Sequence, residues 1–218
     1  MNSVKVIIKI QELKYIKELQ AGKLYMNHID YFKNIEQDQG RKDIHEGLDK
    51  CFQPSKSKLI IGDHEINSDD ILSPIFCEKS NIEFTNIFCL FAITMGLIKD
   101  NKIDFDDRIY SFGDYSLIIT DTAEFINRIE SEINSRQEIV KYGWGLVEYV
   151  NKDNYHGDMR IFRKFSVFEY QNEYRIAIKT EHKEKKPYIL DIGDISDISI
   201  VGKTSELEGK LKVMPRQP

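Results

Sequence analysis

Ile87-Phe88-Cys89-Leu90-Phe91-Ala92-Ile93-Thr94 is apolar at every position but the last, and most of its side chains are β-branched or aromatic. A strand with one wet face alternates between apolar and polar residues. This run does not, so it reads as a central strand covered on both faces. Cys89 is then a small buried hydrophobe.

Towards the N-terminus, Val4 to Ile10 has the Val and Ile content of a second strand. Leu13, Ile16 and Leu19 follow at helical spacing until Gly22, whose freedom at positive φ suits a helix stop. Lys23 to Met26 predicts a short strand, and His28 to Ile35 a short helix that turns Ile29, Phe32 and Ile35 inward. Residues 34–50 lose periodicity and fill with charge (Glu36, Asp38, Arg41, Lys42, Asp43, Glu46 and Asp49), which reads as a long polar loop. Lys58 to Ile61 and Glu65-Ile66 flank Gly62-Asp63-His64 as a hairpin.

Towards the C-terminus, Tyr115 to Thr120 reads as a strand. Asp121-Thr122-Ala123-Glu124 resembles a capping box opening a helix with an apolar stripe of Phe125, Ile126, Ile129 and Ile133. Lys141 to Val150 alternates loosely through Trp144, the single tryptophan, which reads as a packed aromatic ahead of a ligand platform, with two glycines that suggest a bulge or a close backbone approach. Ser166 to Tyr170, Tyr174 to Lys179, Tyr188 to Ile192 and Ile198 to Val201 read as strands, followed by a short helix capped near Thr204 or Ser205. Early helices, late strands and short hairpin-like connections give an α+β fold: a single domain over residues 1–218, with a mixed, mostly antiparallel sheet and a few flanking helices. Neither GxGxxG nor GxxxxGK[ST] occurs, which argues against a dinucleotide-binding βαβ unit or a P-loop.

With 41% hydrophobic and 31% charged residues, 218 residues suffice for one sizeable core. A formal charge of −5 gives no overall attraction to nucleic acid or to an anionic membrane, so any such contact is local. The basic clusters are Arg160, Arg163 and Lys164, then His182, Lys183, Lys185 and Lys186, the second reading as a solvated hairpin tip. Three cysteines without CxxC spacing suggest neither disulfides nor a zinc knuckle. No apolar run approaches a signal peptide's core or the ~20 residues of a membrane span, so a cytoplasmic protein with no membrane contact is expected.

Chemistry concentrates in Phe168-Glu169-Tyr170-Gln171-Asn172-Glu173-Tyr174-Arg175-Ile176-Ala177-Ile178, where acid, amide and guanidinium groups run into a β-branched strand. Gln171 and Glu173 are two apart and share a face if the strand already covers them. A carboxylate beside an amide suits a reaction in which positive charge grows on a sugar carbon. Arg175 continues that face and either grips a phosphate or carboxylate bidentately or pairs with Glu173 and lowers its pKa. Polar strand-end residues also pair across sheet edges without any ligand, so a purely structural role stands beside the catalytic one.

A second constellation runs from Gly22-Lys23-Leu24-Tyr25-Met26-Asn27-His28 to Gly40-Arg41-Lys42-Asp43-Ile44-His45-Glu46-Gly47. Asn27 reads as the cap of the next helix, His28 as a base, a ribose partner or a partly exposed bystander, and Arg41 as a loop-ordering partner of Asp43 or Glu46. Asp43, His45, Glu46 and Asp49 match no EF-hand or HExxH spacing, and no metal site is assigned.

Gly22-x-Leu24-Tyr25-Met26-Asn27, Tyr31-Phe32, Arg41-x-Asp43-x-x-Glu46-Gly47 and Gln171-Asn172-Glu173-Tyr174-Arg175 together resemble an uncharacterised family of bacterial and mobile-element proteins associated with phage-host conflict. The resemblance leaves residues 50–165 unmatched. Gln171-Asn172-Glu173 also resembles the Gln-x-Glu that ADP-ribosyltransferases carry at the edge of a late strand. That resemblance implies NAD as cofactor, with Glu173 as the catalytic glutamate on the nicotinamide ribose and Gln171 orienting the acceptor. Tyr25, Asn27, His28, Arg41 and Arg175 would hold NAD, and the acceptor would be a protein, a nucleic acid or a base. The chain lacks that family's Ser-Thr-Ser motif and first-strand arginine, where Lys5 and Lys9 are the only cations. The alternative is a non-catalytic phage or prophage protein whose 34–50 loop binds and regulates a host or viral protein.

Overall fold

A computed structural model describes residues 4–35, 40–78, 85–99, 102–181 and 184–211. The apolar run that begins at Ile87 lies in β3 (Thr85–Thr94), at the centre of an eight-stranded sheet. The other strands are β1 (Val4–Gln11), β2 (Lys23–His28), β4 (Tyr115–Ile119), β5 (Ile139–Leu146), β6 (Glu173–Thr180), β7 (Tyr188–Asp191) and β8 (Ser199–Lys203). The order is β5-β6-β3-β1-β4-β8, with β2 joining β3 to β7. Every pairing in this sheet is antiparallel. A separate two-stranded pairing of Glu148–Val150 with Arg163–Phe165 is parallel, and the fold is α+β.

Both faces of β3 are covered, as its composition demands. On one, Phe88, Leu90 and Ala92 pack with Ile7, Leu117 and Ile176 beneath α1 (Leu13–Gln20) and α3 (Thr122–Ser135), which contribute Ile16, Leu19, Phe125, Ile129 and Ile133. Each such buried side chain stabilises the fold by about 1.5–3 kcal/mol, which ties both helices to the sheet. On the other, Phe91 and Ile93 meet Ile8, Ile10, Ile118, Phe105, Ile109 and Leu207. Half of the expected capping box forms: Glu124 N–H donates to Asp121 Oδ1 at 2.9 Å, satisfying a donor that the helix cannot, while the Glu124 carboxylate accepts from Arg128 Nε at 2.8 Å. Gly22 ends α1 at φ 92°, and a Cβ there would stand 2.0 Å from the Gly193 carbonyl oxygen.

Three local expectations are corrected. Ser166 to Tyr170 is not a strand; Ser166–Gln171 is 3-10 helix, closed by Asn172 in the left-handed region (φ 36°, ψ 52°). The polar segment after Asn34 is not loop throughout, because Leu48–Phe52 forms a strand that pairs with Ile75–Glu78. The cap of α2 (Ile29–Asn34) is His28 rather than Asn27: Asp30 N–H donates to His28 Nδ1 at 3.2 Å, while Asn27 lies within β2 opposite Ile87. Glu36, Asp38, His182 and Lys183 lie outside the described residues. No helix among the described residues is long and apolar enough to cross a membrane.

Candidate active-site cleft

The site begins with a fork in the sheet. Near its start β3 pairs with β2 (Asn27↔Ile87, His28↔Asn86), and from Phe91 onward the same edge pairs with β1 (Ile8↔Phe91 to Val4↔Thr94). Between them β1 and β2 splay apart, and a cleft of about 130 Å³ opens against Phe88–Leu90 of β3. Lys9 and Gln11 enter it from β1, and Tyr25 and Asn27 from β2. Lys9 Nζ reaches over the Phe88 ring and donates to the Cys89 carbonyl oxygen at 2.7 Å.

The late constellation closes the cleft from the other side. Glu173 opens β6 opposite Phe91, and Arg175 follows on the same face opposite Cys89. Gln171 ends the 3-10 helix instead of sharing that strand, yet Gln171, Glu173 and Lys164 all line the cleft. Lys164 Nζ donates to Gln171 Oε1 at 2.9 Å and to Glu173 Oε2 at 3.1 Å. Gln171 Nε2 donates to the Gly40 carbonyl at 2.8 Å, and Tyr170 O–H to the same oxygen at 2.6 Å, so the amide anchors the 40–47 segment to the late strand.

Glu173 belongs to a buried network of four charges. Arg175 Nε donates to Glu173 Oε1 at 2.7 Å, and the same guanidinium grips Glu46 in a fork at 2.8 and 3.0 Å. Arg175 also donates to the Ile161 carbonyl. Glu46 and Arg175 are 1% and 0% exposed, so Arg175 has no solvent-facing surface to offer a ligand. Burial opposes ionisation of Glu173, but Arg175 and then Lys164 outweigh it and hold the carboxyl far below its ordinary range. The carboxylate is therefore anionic at any physiological pH. Burial alone would lower Lys164; Glu173 and Glu46 raise it instead, and it remains charged.

Glu46 and Glu173 balance Lys164 and Arg175, but the cleft holds two further cations. Arg41 Nη2 donates to Gln11 Oε1 at 3.3 Å and to the Phe112 carbonyl, with its guanidinium over the Phe112 ring. It pairs with neither Asp43 nor Glu46, which corrects the expected loop ion pair: Glu46 goes to Arg175, and Asp43 accepts from His45 N–H at 2.9 Å. No carboxylate among the described residues pairs with Lys9 or Arg41. Burial brings the Lys9 ammonium down to about 8, so most of it is still charged near neutrality. Burial, and then Glu173, push the Cys89 thiol up to about 12, which leaves it an inert thiol.

Five of the seven site residues expected from sequence thus meet in one cleft: Glu173, Gln171, Tyr25, Asn27 and Arg41. The other two do not line it. Arg175 lies behind Glu173, and His28, 3% exposed, is a buried helix cap and not a bystander in solvent. Lys9 carries no expected role, Lys164 is expected only as part of a basic cluster, and Glu46 only as a partner of Arg41. Lys9 had a signal, a cation between isoleucines in an apolar strand, which is a costly placement without a purpose. Glu46 had none, because what makes it matter is a contact with Arg175 across more than a hundred residues, and Lys164 reaches Gln171 and Glu173, seven and nine residues on, only because the 3-10 turn folds the chain back. No protein-family model matches the chain, and no curated protein or solved structure is significantly similar to it.

Proposed function

We propose that the protein is an ADP-ribosyltransferase-like enzyme that takes NAD in this cleft, cleaves it, and transfers ADP-ribose to a macromolecule or base in the cytoplasm, during phage-host conflict or as a toxin. The observation that carries this reading is the convergence of Glu173 and Gln171 with Tyr25, Asn27 and Arg41 on one hollow. The chemistry is consistent with the charges. When the bond from the ribose carbon to nicotinamide breaks, the electron pair leaves with the ring, which departs neutral and needs no proton. Positive charge is left on the sugar, and the acceptor's nucleophile then bonds to that carbon and loses its own proton. A carboxylate that cannot itself be protonated stabilises such a cation electrostatically.

The electrostatics of the rest of the cleft favour the same ligand class. Lys9 stands in the first strand, where the resembling family has an arginine, and with Arg41 it offers two cations to a pyrophosphate. A volume of about 130 Å³ accommodates a single ring and not a whole dinucleotide, so the remainder of NAD would lie across the rim, where Tyr25 and Tyr31 are 49% and 50% exposed.

Thermal unfolding with increasing NAD or ADP-ribose tests the binding half of this proposal. A ligand at a hundred times its Kd stabilises the folded state by about 2.7 kcal/mol, and the melting temperature rises accordingly. Lys9→Met and Arg41→Ala, each compared with its own ligand-free melting point, should lose most of that rise. No rise in the wild type with either compound would contradict the proposal.

A further inference from the structure

A second groove, of about 700 Å³, lies on the sheet face that carries Glu173 and Arg175. An apolar ridge separates the two sites: Ile87 and Phe32 face the cleft, while Ala177 and Phe162, packed in the same cluster, face the groove. The groove floor is nearly bare of side chains, because Gly143 of β5 lies opposite Ala177 of β6. A Cβ at Gly143 would meet the Phe162 ring at 3.9 Å, so that ring stands over the floor at van der Waals distance.

Cations collect around this floor. Lys141 and Lys179 are direct cross-strand partners on its face. Across the groove stand Arg160 and Arg163. Arg163 pairs with Glu148 at 2.7 Å and Arg160 with Asp158 at 2.8 Å, and Arg160 holds a left-handed φ of 57° with its side chain 71% exposed. Four cations and two carboxylates, Asp49 and Glu148, line the groove, and with Asp158 counted as the partner of Arg160 one positive charge is left in excess, in a chain whose net charge is −5. Local charge therefore runs against the charge of the whole.

We propose that this groove binds a phosphate-bearing nucleotide unit, its phosphate against Lys141, Lys179 and Arg160 and its base on the Phe162 ring. The half-buried Phe162 ring, seated on the Gly143 floor, offers an aromatic surface on which a flat base stacks, and the cations around it suit the phosphate. The unit comes either from a free mononucleotide or from a single strand, and both present the same chemistry. The inference goes beyond NAD cleavage and does not rest on it.

Binding of AMP by calorimetry, and of a fluorescein-labelled single-stranded oligonucleotide by anisotropy, at about 50 mM salt, tests the groove. The oligonucleotide binds, and its affinity falls with salt. Lys141→Glu with Arg160→Glu, both exposed positions, weakens binding on the order of tenfold or more and lowers the salt slope by about 2. Lys9→Met in the cleft leaves this binding unchanged, so a failure of the NAD reading is separable from a failure here. AMP binding as tightly as the oligonucleotide assigns the groove to free nucleotides, and oligonucleotide binding alone assigns it to a strand. Absence of binding by both probes overturns the proposal, as does an equal loss on Lys14→Glu, an exposed lysine on α1 away from the groove.

Discussion

Glu46, Lys164, Glu173 and Arg175 are ionised side chains with almost no contact with water, and taking each of them out of solvent costs several kcal/mol before any pairing offsets it. Complete mutual pairing makes this tolerable: the described residues contain no buried side-chain nitrogen or oxygen without a hydrogen-bond partner. Asp43 sits beside this balanced set as an extra carboxylate, 2% exposed, and burial followed by Glu46 pushes it up to about 6. An unfolded aspartate titrates near ~3.9, so between that value and 6 the folded chain holds a proton that the unfolded chain has released. Stability therefore falls as pH rises through this window, by on the order of 2–3 kcal/mol in all. Asp43→Asn keeps an oxygen for His45 N–H and removes the titration. It should match the wild type in chemical denaturation near pH 4 and exceed it by that order near pH 7.5. The sequence shows Asp43 and Glu46 as loop charges, and nothing in their spacing distinguishes a solvated loop from one drawn inward by an arginine at position 175.

At the scale of elements, local signals were legible where one element settles its own geometry. The unbroken apolar run from Ile87, the Asp121 cap and the Gly22 stop each act within a few residues, and each stands where its chemistry requires. Signals failed where a neighbour decides. Val167, Phe168 and Tyr170 have strand-like composition, but the chain must turn before β6, and a 3-10 helix ending in left-handed Asn172 makes that turn. Leu48–Phe52 is a strand because Ile75–Glu78 pairs with it, while its own charges disguise it. The fork between β1 and β2 is equally invisible, since it depends on both strands competing for one edge of β3. At the opposite end of β2, Gly22 lets the strand's start pass the turn at Gly193; Ile192 N–H donates to the Gly22 carbonyl at 2.9 Å. Gly22→Ala combines a left-handed backbone with a backbone collision, for a loss of about 2–5 kcal/mol. A melting temperature within a degree or two of the wild type would show that the contact between Gly22 and Gly193 does not constrain the fold.

At the scale of the whole molecule, one antiparallel sheet carries two polar sites on either side of an apolar ridge, and the carboxylate at the start of β6 belongs to the fold and to the cleft at once. Glu173→Gln would therefore strand two buried cations and cost about 3–5 kcal/mol, whatever its effect on catalysis. Glu46→Gln removes a charge from the same network without touching the cleft lining, and so serves as the matched control. The most direct test is nicotinamide release from NAD, with cell extract as a source of acceptor, by the wild type and both variants at a temperature where circular dichroism shows all three folded. The account predicts release by the wild type, substantial release by Glu46→Gln, and a loss on the order of a hundredfold or more in Glu173→Gln. No release by the wild type, or equal rates in the two variants, would contradict it and leave Glu173 as a buried strut of the sheet.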